Sequence, residues 1–377
     1  MMSWVEKSLD EVLKLEYGKP LDKSLRKEGG KYPAYGANGI KAWSDEYFHD
    51  EETIVVGRKG SAGELTLTDG KFWPLDVTYF VKTNKNDYDI KFLYYLLLSL
   101  DLPSLATGVK PGINRNNVYK IQAKFPSYST QKQVAGQLDK AFDGIEQART
   151  NTEKNLQNAR ELFDSYLQQV FSECGEGWKK TTLNELCTKF EYGTSSKSSQ
   201  EGEVPVIRMG NIQDGRIVMD KLVYSLNEED NQKYRLNFND VLFNRTNSAE
   251  LVGKTAIYKS EERAIFAGYL IRIHRNEKLL NADYLNFYLN SPIARKYGEQ
   301  VMSQSTNQAN ISGTKLKTYP ISIPVSLEEQ QSIVDKISTL KEKVEELEAT
   351  HKSKLTALDE LKQSLLQQAF TGQLTQG

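Results

Sequence analysis

The chain has 377 residues, 26% of them charged and 38% hydrophobic, which gives room for two or three domains with ordinary cores and excludes a disulfide-dependent miniature scaffold. Its 49 Lys and Arg balance 50 Asp and Glu, so no global field draws in polyanions and any basic face must be local. The two cysteines, Cys174 and Cys187, form no Cys-x-x-Cys pair, the opening "MMSWVEKSLDEV" does not read as a signal peptide, and the longest apolar run, "FLYYLLLSL" at 92–100, is about half of the roughly 20 residues a bilayer span needs. A cytoplasmic protein without a membrane partner is expected.

Residues 1–130 carry hydrophobic runs of four to six residues between Gly, Asn and Asp turns, a pattern that predicts an α+β globular domain. Pro126 closes the last extended segment, and "STQKQVAGQLD" opens a helix expected over 131–172. Its apolar positions, among them Leu138, Ile145, Leu156, Phe163 and Val170, advance largely in steps of four and three, the spacing of a coiled-coil seam. A second globular domain is expected over 173–327. Pro324 then precedes a second helix and tail, 328–377, whose seam holds Ile337, Val344, Leu355, Leu358 and Leu365. A single stripe of this kind more often packs on a globular core; two matched stripes favour a coiled coil.

The match is numerical. "DSYLQQVF" at 164–171 returns as "QSLLQQAF" at 363–370, an offset of 370 − 171 = 199, and the same offset relates Leu138 to Ile337, Ile145 to Val344, Leu156 to Leu355 and Leu162 to Leu361. It also relates Thr152 to His351, where each seam meets a polar residue and steps out of register, a stutter that locally unwinds a supercoil. The globular blocks echo more loosely: "WVEKSLDEV" with "WKKTTLNEL", "EYG" at 16–18 with "EYG" at 191–193, and "TIVVGRKGSAG" with "DVLFNRTNSAE". The predicted fold class is therefore α+β, a tandem duplication with two globular domains separated by two long helices that form an antiparallel coiled coil about a pseudo-two-fold axis.

Catalytic constellations are missing from the sequence. His49, His274 and His351 have no metal-ligand spacing, so no metal site is predicted, and "VGKT" at 252–255 has Ser248 where a phosphate loop needs glycine. What recurs is a set of polar loops. Arg58, Lys59 and Ser61 correspond to Arg245, Thr246 and Ser248, each following an apolar strand, and "VPVIRMGNI" adds Arg208 and Asn211. The loops at 107–117 and 303–314 contribute Lys110, Asn114, Arg115, Asn307 and Asn310. Arginine can pair with guanine O6 and N7 or grip phosphate, and asparagine suits adenine N6 and N7, so these are DNA-binding candidates. The competing reading is that they close turns and cap strands.

In this order and twice over, the Trp-x-x-x-x-Leu-x-Glu openings at Trp4 and Trp178, the "EYG" segments, "FPSYSTQKQV" and "IPVSLEEQQSIV" entering the helices and the closing "LLQQAFTGQL" resemble the specificity subunit of type I restriction-modification systems over essentially the whole chain. The resemblance implies two target recognition domains, each reading one half of an asymmetric bipartite site in double-stranded DNA, with the gap set by the coiled coil. It implies no catalysis and no cofactor in this subunit. Two modification (methyltransferase) subunits would bring S-adenosylmethionine to adenine, and restriction (motor-nuclease) subunits would bring ATP and Mg. Two alternatives stay open: a coiled-coil adaptor between proteins, and a specificity subunit in a nuclease-free methyltransferase or phage-defence system.

Overall fold

The computed structural model describes residues 4–173, 175–305 and 308–371. It contains two compact units, one formed by residues 1–153 with 352–377 and the other by residues 154–351. The expected division treated each long helix as a segment of its own. Each unit holds a globular part, one half of the first long helix (Tyr128–Ser172) and one half of the second (Leu327–Phe370). Both helices start slightly before their expected first residues.

In the first unit the main sheet is antiparallel, in the order Leu13–Tyr17, Thr78–Thr83, Ile54–Gly57, Leu65–Leu67. The strand Ile54–Gly57 is buried on both faces, which its unbroken apolar sequence anticipates. Ile54 and Val56 join Phe92, Leu93 and Leu96 of the helix Ile90–Ser99, while Val55 meets Tyr35, Phe72 and Phe80 on the other side. A smaller sheet sets Tyr32–Gly36 between Gly39–Ser44 and Trp73–Pro74. The strand Val5–Ser8 pairs with Gln122–Phe125, which leads into the long helix.

The second unit repeats this plan. Its main sheet runs Cys187–Tyr192, Leu270–Arg275, Val241–Asn244, Thr255–Ile257, and is extended by the hairpin Ile212–Gln213 and Arg216–Ile217. Its smaller sheet sets Val204–Ile207 between Tyr224–Ser225 and Ile265–Phe266, and Lys179–Thr182 pairs with Pro320–Ile323 ahead of the second long helix. The "VGKT" segment leads into the strand Thr255–Ile257, with Thr255 fully buried, and no helix follows it directly.

The doubled phrase has a packing explanation. In the second unit, Leu167 and Phe171 of "DSYLQQVF" enter the globular core, where the Phe171 ring stands edge-on to Tyr284 and Tyr288 at 5.2 and 5.5 Å. In the first unit, Leu366 and Ala369 of "QSLLQQAF" join the core with Val134, Ala135 and Leu138, and Phe370 meets Phe92 at 5.3 Å. Each globular core is thus completed by the end of the long helix whose start lies in the other copy of the repeat.

Gln131 and Gln330, again 330 − 131 = 199 apart, are buried at the helix starts. Gln131 accepts from Asp89 N at 3.0 Å and donates to the carbonyls of Asp87 and Pro126, both at 3.1 Å. Gln330 accepts from Asn281 N at 2.8 Å and donates to the carbonyls of Leu279 and Pro324, both at 2.9 Å. Each glutamine satisfies three backbone groups that would otherwise be stranded under the helix.

Within each unit the two helix halves run antiparallel, clasped by Arg149 with Asp359 in the first and by Arg160 with Glu348 at 3.0 Å in the second. Of the expected seam residues, Leu138, Ile145, Ile337 and Val344 are buried, and Leu156, Phe163, Val170, Leu355, Leu358 and Leu365 are half-buried. In the last turns the deepest positions are Leu167, Phe171, Leu366 and Ala369, because the globular core, and not only the partner helix, covers that end. At the stutter, Thr152 is buried and donates to the Ala148 carbonyl at 2.7 Å, and His351 is half-buried.

Candidate nucleic-acid interface

The polar loops singled out in the sequence are joined by backbone ladders in both units. In the first, Arg58 N donates to the Val77 carbonyl at 2.8 Å, the Arg58 carbonyl accepts from Ile113 N at 3.0 Å, and Lys59 bridges to Gly112. In the second, Arg245 N donates to the Tyr269 carbonyl at 3.0 Å, the Arg245 carbonyl accepts from Ile311 N at 2.9 Å, and Thr246 pairs with Asn310. The two arginines therefore occupy the same place in the same local fold, each between a main-sheet segment and the later polar loop.

Their side chains are seated alike. The Arg58 guanidinium lies 5.4 Å from the ring centre of Tyr17 and donates to the Asp76 carbonyl through Nε at 3.2 Å and Nη2 at 2.6 Å. The Arg245 guanidinium lies 4.8 Å from the ring centre of Tyr192 and donates through Nη1 to the Gly268 carbonyl at 3.5 Å. Its Nε is buried with no hydrogen-bond partner among the described residues. Tyr17 and Tyr192 are the tyrosines of the two "EYG" segments, which the sequence marked as repeats without assigning them to a site. They end their strands with 49% and 41% of the residue exposed.

The glycine that follows each tyrosine is required by close approach. A Cβ on Gly18 would stand 2.1 Å from the Leu75 carbonyl oxygen, and one on Gly193 would stand 2.2 Å from that of Phe266. The strand end carrying the ring is held against the segment that also supplies the arginine's anchoring carbonyl, Asp76 in one unit and Gly268 in the other.

The copies differ at one point of the seat. In the first unit Arg115 also lies over Tyr17, 4.9 Å from the ring centre, and donates to the Leu15 carbonyl at 3.1 Å. At the matching place the second unit has Gly313, whose N–H donates to the Tyr192 hydroxyl at 2.8 Å. The ring carries two arginines in one domain and one in the other.

The other candidates divide. Lys59, Lys110 and Ser248 are exposed, and Ser61 is partly exposed. Asn114 caps the short helix Arg115–Tyr119 by accepting from Asn116 N at 3.0 Å. Thr246 is buried and its hydroxyl accepts from Asn310 Nδ2 at 2.7 Å. Asn211, another DNA-binding candidate, has its amide engaged within its own turn. It is 4% exposed, its Oδ1 accepts from Arg208 N at 3.0 Å, and its Nδ2 donates to the carbonyls of Val218 and Asp220, both at 2.9 Å. Arg208 is exposed, with Nη2 donating to the Lys221 carbonyl at 2.8 Å. Asn307 lies outside the described residues.

Behind Tyr192 the second unit holds a buried ion cluster. Glu191 accepts from Arg272 Nε at 3.0 Å, from His274 Nε2 at 2.9 Å and from Lys189 Nζ at 2.7 Å, and Arg272 also reaches Asp240 at 3.0 Å. Burial works against the Glu191 charge, but the hydrogen bonds from Lys189, Arg272 and His274 and the charge of Arg272 outweigh it and hold the carboxyl down at about 2. In the first unit the matching Glu16 stands opposite Phe80 in the strand pair, and among the described residues no such cluster forms around it. A cleft of the second unit near Lys341 is an unsuitable polyanion site: Lys259 is paired with Asp283, Arg216 with Glu345, and Lys341 donates to the Asp214 carbonyl.

Comparison with known proteins gives this arrangement its family. The sequence profile described as "Type I restriction modification DNA specificity domain" matches residues 1–155 and 175–357, one copy on each repeat. The chain belongs to this family. The StySPI type I restriction enzyme specificity subunit of Salmonella potsdam is 26% identical over 71% of this chain and 62% of its own length. The EcoKI specificity subunit of Escherichia coli is 24% identical over 71% of this chain and 62% of its own length. The chain thus matches about three fifths of the length of these curated relatives. A putative type I specificity subunit of Haemophilus influenzae is 24% identical over 90% of this chain and 89% of its own.

Among solved structures, a chain from a study of complex assembly and conformational transition of the type I R-M system superposes with a TM-score of 0.76 at 17% identity, covering 99% of both chains. The HsdS subunit from Thermoanaerobacter tengcongensis gives 0.57 at 18% identity, covering 98% of this chain and 97% of its own. These two likenesses establish the fold.

Proposed function

We propose that this chain is the specificity subunit of a type I restriction-modification complex and that each globular domain reads one half of an asymmetric bipartite target in double-stranded DNA. The observation that carries this reading is the repeated seat: Arg58 and Arg245 are held at equivalent places on surface loops of two equivalently folded units. An arginine fixed on a ring and a carbonyl still has N–H groups for guanine O6 and N7 or for phosphate. Membership of the specificity-domain family supports the same reading.

The subunit itself performs no chemistry in this account. It directs two modification subunits, which bind S-adenosylmethionine and methylate adenine in the target, and restriction subunits, which use ATP and Mg, all in the cytoplasm. The near-neutral net charge fits, since partner subunits can supply much of the phosphate grip.

Binding of the assembled complex to oligoduplexes with single-base changes tests the reading. Arg58→Ala is expected to lower affinity for the cognate site by about 1–3 kcal/mol and to relax discrimination in one half-site only, and Arg245→Ala to do the same in the other. A loss spread evenly over all sequences would make the residue a phosphate contact. Unchanged binding by both variants would remove these loops from the DNA face.

A further inference from the structure

We infer that Tyr17 and Tyr192 are positioning residues for DNA recognition, each holding the arginine of its domain in the orientation that meets the target; this rests on the DNA-reading function proposed above. A tyrosine whose work is core packing is buried, yet these two residues are 49% and 41% exposed at the ends of their strands. Over them lie the guanidinium groups of Arg58 and Arg115 in one unit, where Tyr79 also packs against Tyr17 at 5.1 Å, and of Arg245 in the other. A free arginine loses several rotatable bonds' worth of freedom when it docks. One already stacked on a ring and tied to the Asp76 or Gly268 carbonyl has lost that freedom beforehand.

The seat is built from far-apart sequence in the same way twice. The ring comes from the first strand of the main sheet, the anchoring carbonyl from the segment before its fourth strand in sequence, and the arginine from the end of the strand that lies between them in the chain. Gly18 and Gly193 make it possible, since a side chain there would push the strand end away from that carbonyl segment. Duplication could preserve such a pair without use. However, the position that faces the ring from the later loop has changed from Arg115 to Gly313 while ring and first arginine have stayed. A conserved seat with a changed occupant is the arrangement expected where two domains read different sequences from one framework. The first domain therefore presents two arginines at its reading point and the second presents one.

The test uses the full chain assembled with its modification subunits and a panel of duplexes with single-base changes in either half-site. Tyr17→Leu, which keeps apolar bulk and removes the aromatic face, is expected to reduce discrimination in the first domain's half-site about tenfold and leave the other half-site intact. Tyr17→Phe recovers that discrimination. Combining Tyr17→Leu with Arg58→Ala adds little to either change alone, because both break one unit. Tyr192→Leu acts in the same way on the second half-site.

Arg115→Gly copies the second domain's occupant into the first and needs no change in the ring; it is expected to cost discrimination at the first half-site alone. If Tyr17→Leu folds and keeps wild-type discrimination, or if its effect adds fully to that of Arg58→Ala, the positioning role is wrong. The same holds if Tyr17→Leu unfolds and Arg115→Gly leaves both half-sites unchanged. If the wild-type complex itself shows no sequence preference, it is the DNA-reading function that fails.

Discussion

Replacing Glu191 by Gln tests whether the buried cluster behind Tyr192 fixes the strand that carries that ring. The Glu191 carboxyl is 10% exposed and accepts from Lys189, Arg272 and His274, which hold it at about 2 against its ordinary 4.5. That gap corresponds to about 3 kcal/mol of stability at neutral pH, of the size measured when one partner is taken from a buried ion pair. Because the folded value is depressed, the stabilisation is fully present above pH 4.5 and is lost as pH falls toward 2. Hydrogen exchange read on peptides covering 187–192 and 270–275 should show roughly a hundredfold loss of protection in Glu191→Gln at pH 7, and the wild-type advantage should shrink as the pH drops below 4.5. Peptides covering 13–17 and 78–83 serve as an internal reference, since Glu16 faces Phe80 there. Equal protection in wild type and variant at pH 7, or an advantage that does not change between pH 5 and 2.5, would refute the argument.

Phe171→Ala removes a ring that touches Tyr284 and Tyr288 in the second unit's core and should cost about 3–5 kcal/mol, with faster proteolysis of residues 173–327. Gln330→Leu strands the Asn281 N–H and the Leu279 and Pro324 carbonyls beneath the second long helix; about 2–4 kcal/mol of destabilisation is expected in urea unfolding, and Gln131→Leu should behave alike in the first unit. Burial pushes the Cys187 thiol up to about 12, so in a Cys174→Ser background a thiol reagent at pH 8 should label the native protein only on unfolding.

The long helices were legible because a period of four and three persists for more than ten turns, and the offset of 199 exposed the duplication without reference to any fold. The depth of burial at the helix ends was less legible. A seam pattern records where apolar residues stand and not whether helix or globular core covers them, so Leu167 and Leu366 proved deeper than Val170 and Leu365. Gln131 and Gln330 were visible as part of a glutamine-rich helix start, but the carbonyls they satisfy come from other segments.

Site residues followed the same division. Arg58 and Arg245 could be found by comparing the repeats. The rings beneath them lie 58 − 17 = 41 and 245 − 192 = 53 residues earlier in the chain, and only strand pairing brings them together. The recurring "EYG" was the signal available, though sequence alone assigned it to no site. Asn211 shows the opposite case, where an amide named as a DNA-binding candidate is engaged by a turn, a common use of asparagine that sequence cannot separate from recognition.

The most direct test of the DNA-reading account is a genome-wide map of adenine methylation in cells expressing this chain with its modification subunit, compared with cells lacking this chain alone. The account predicts that one asymmetric two-part motif is methylated in the first and unmodified in the second, and that Arg58→Ala and Arg245→Ala each relax a different half of it. Identical methylation with and without the chain, both proteins being expressed, would contradict it.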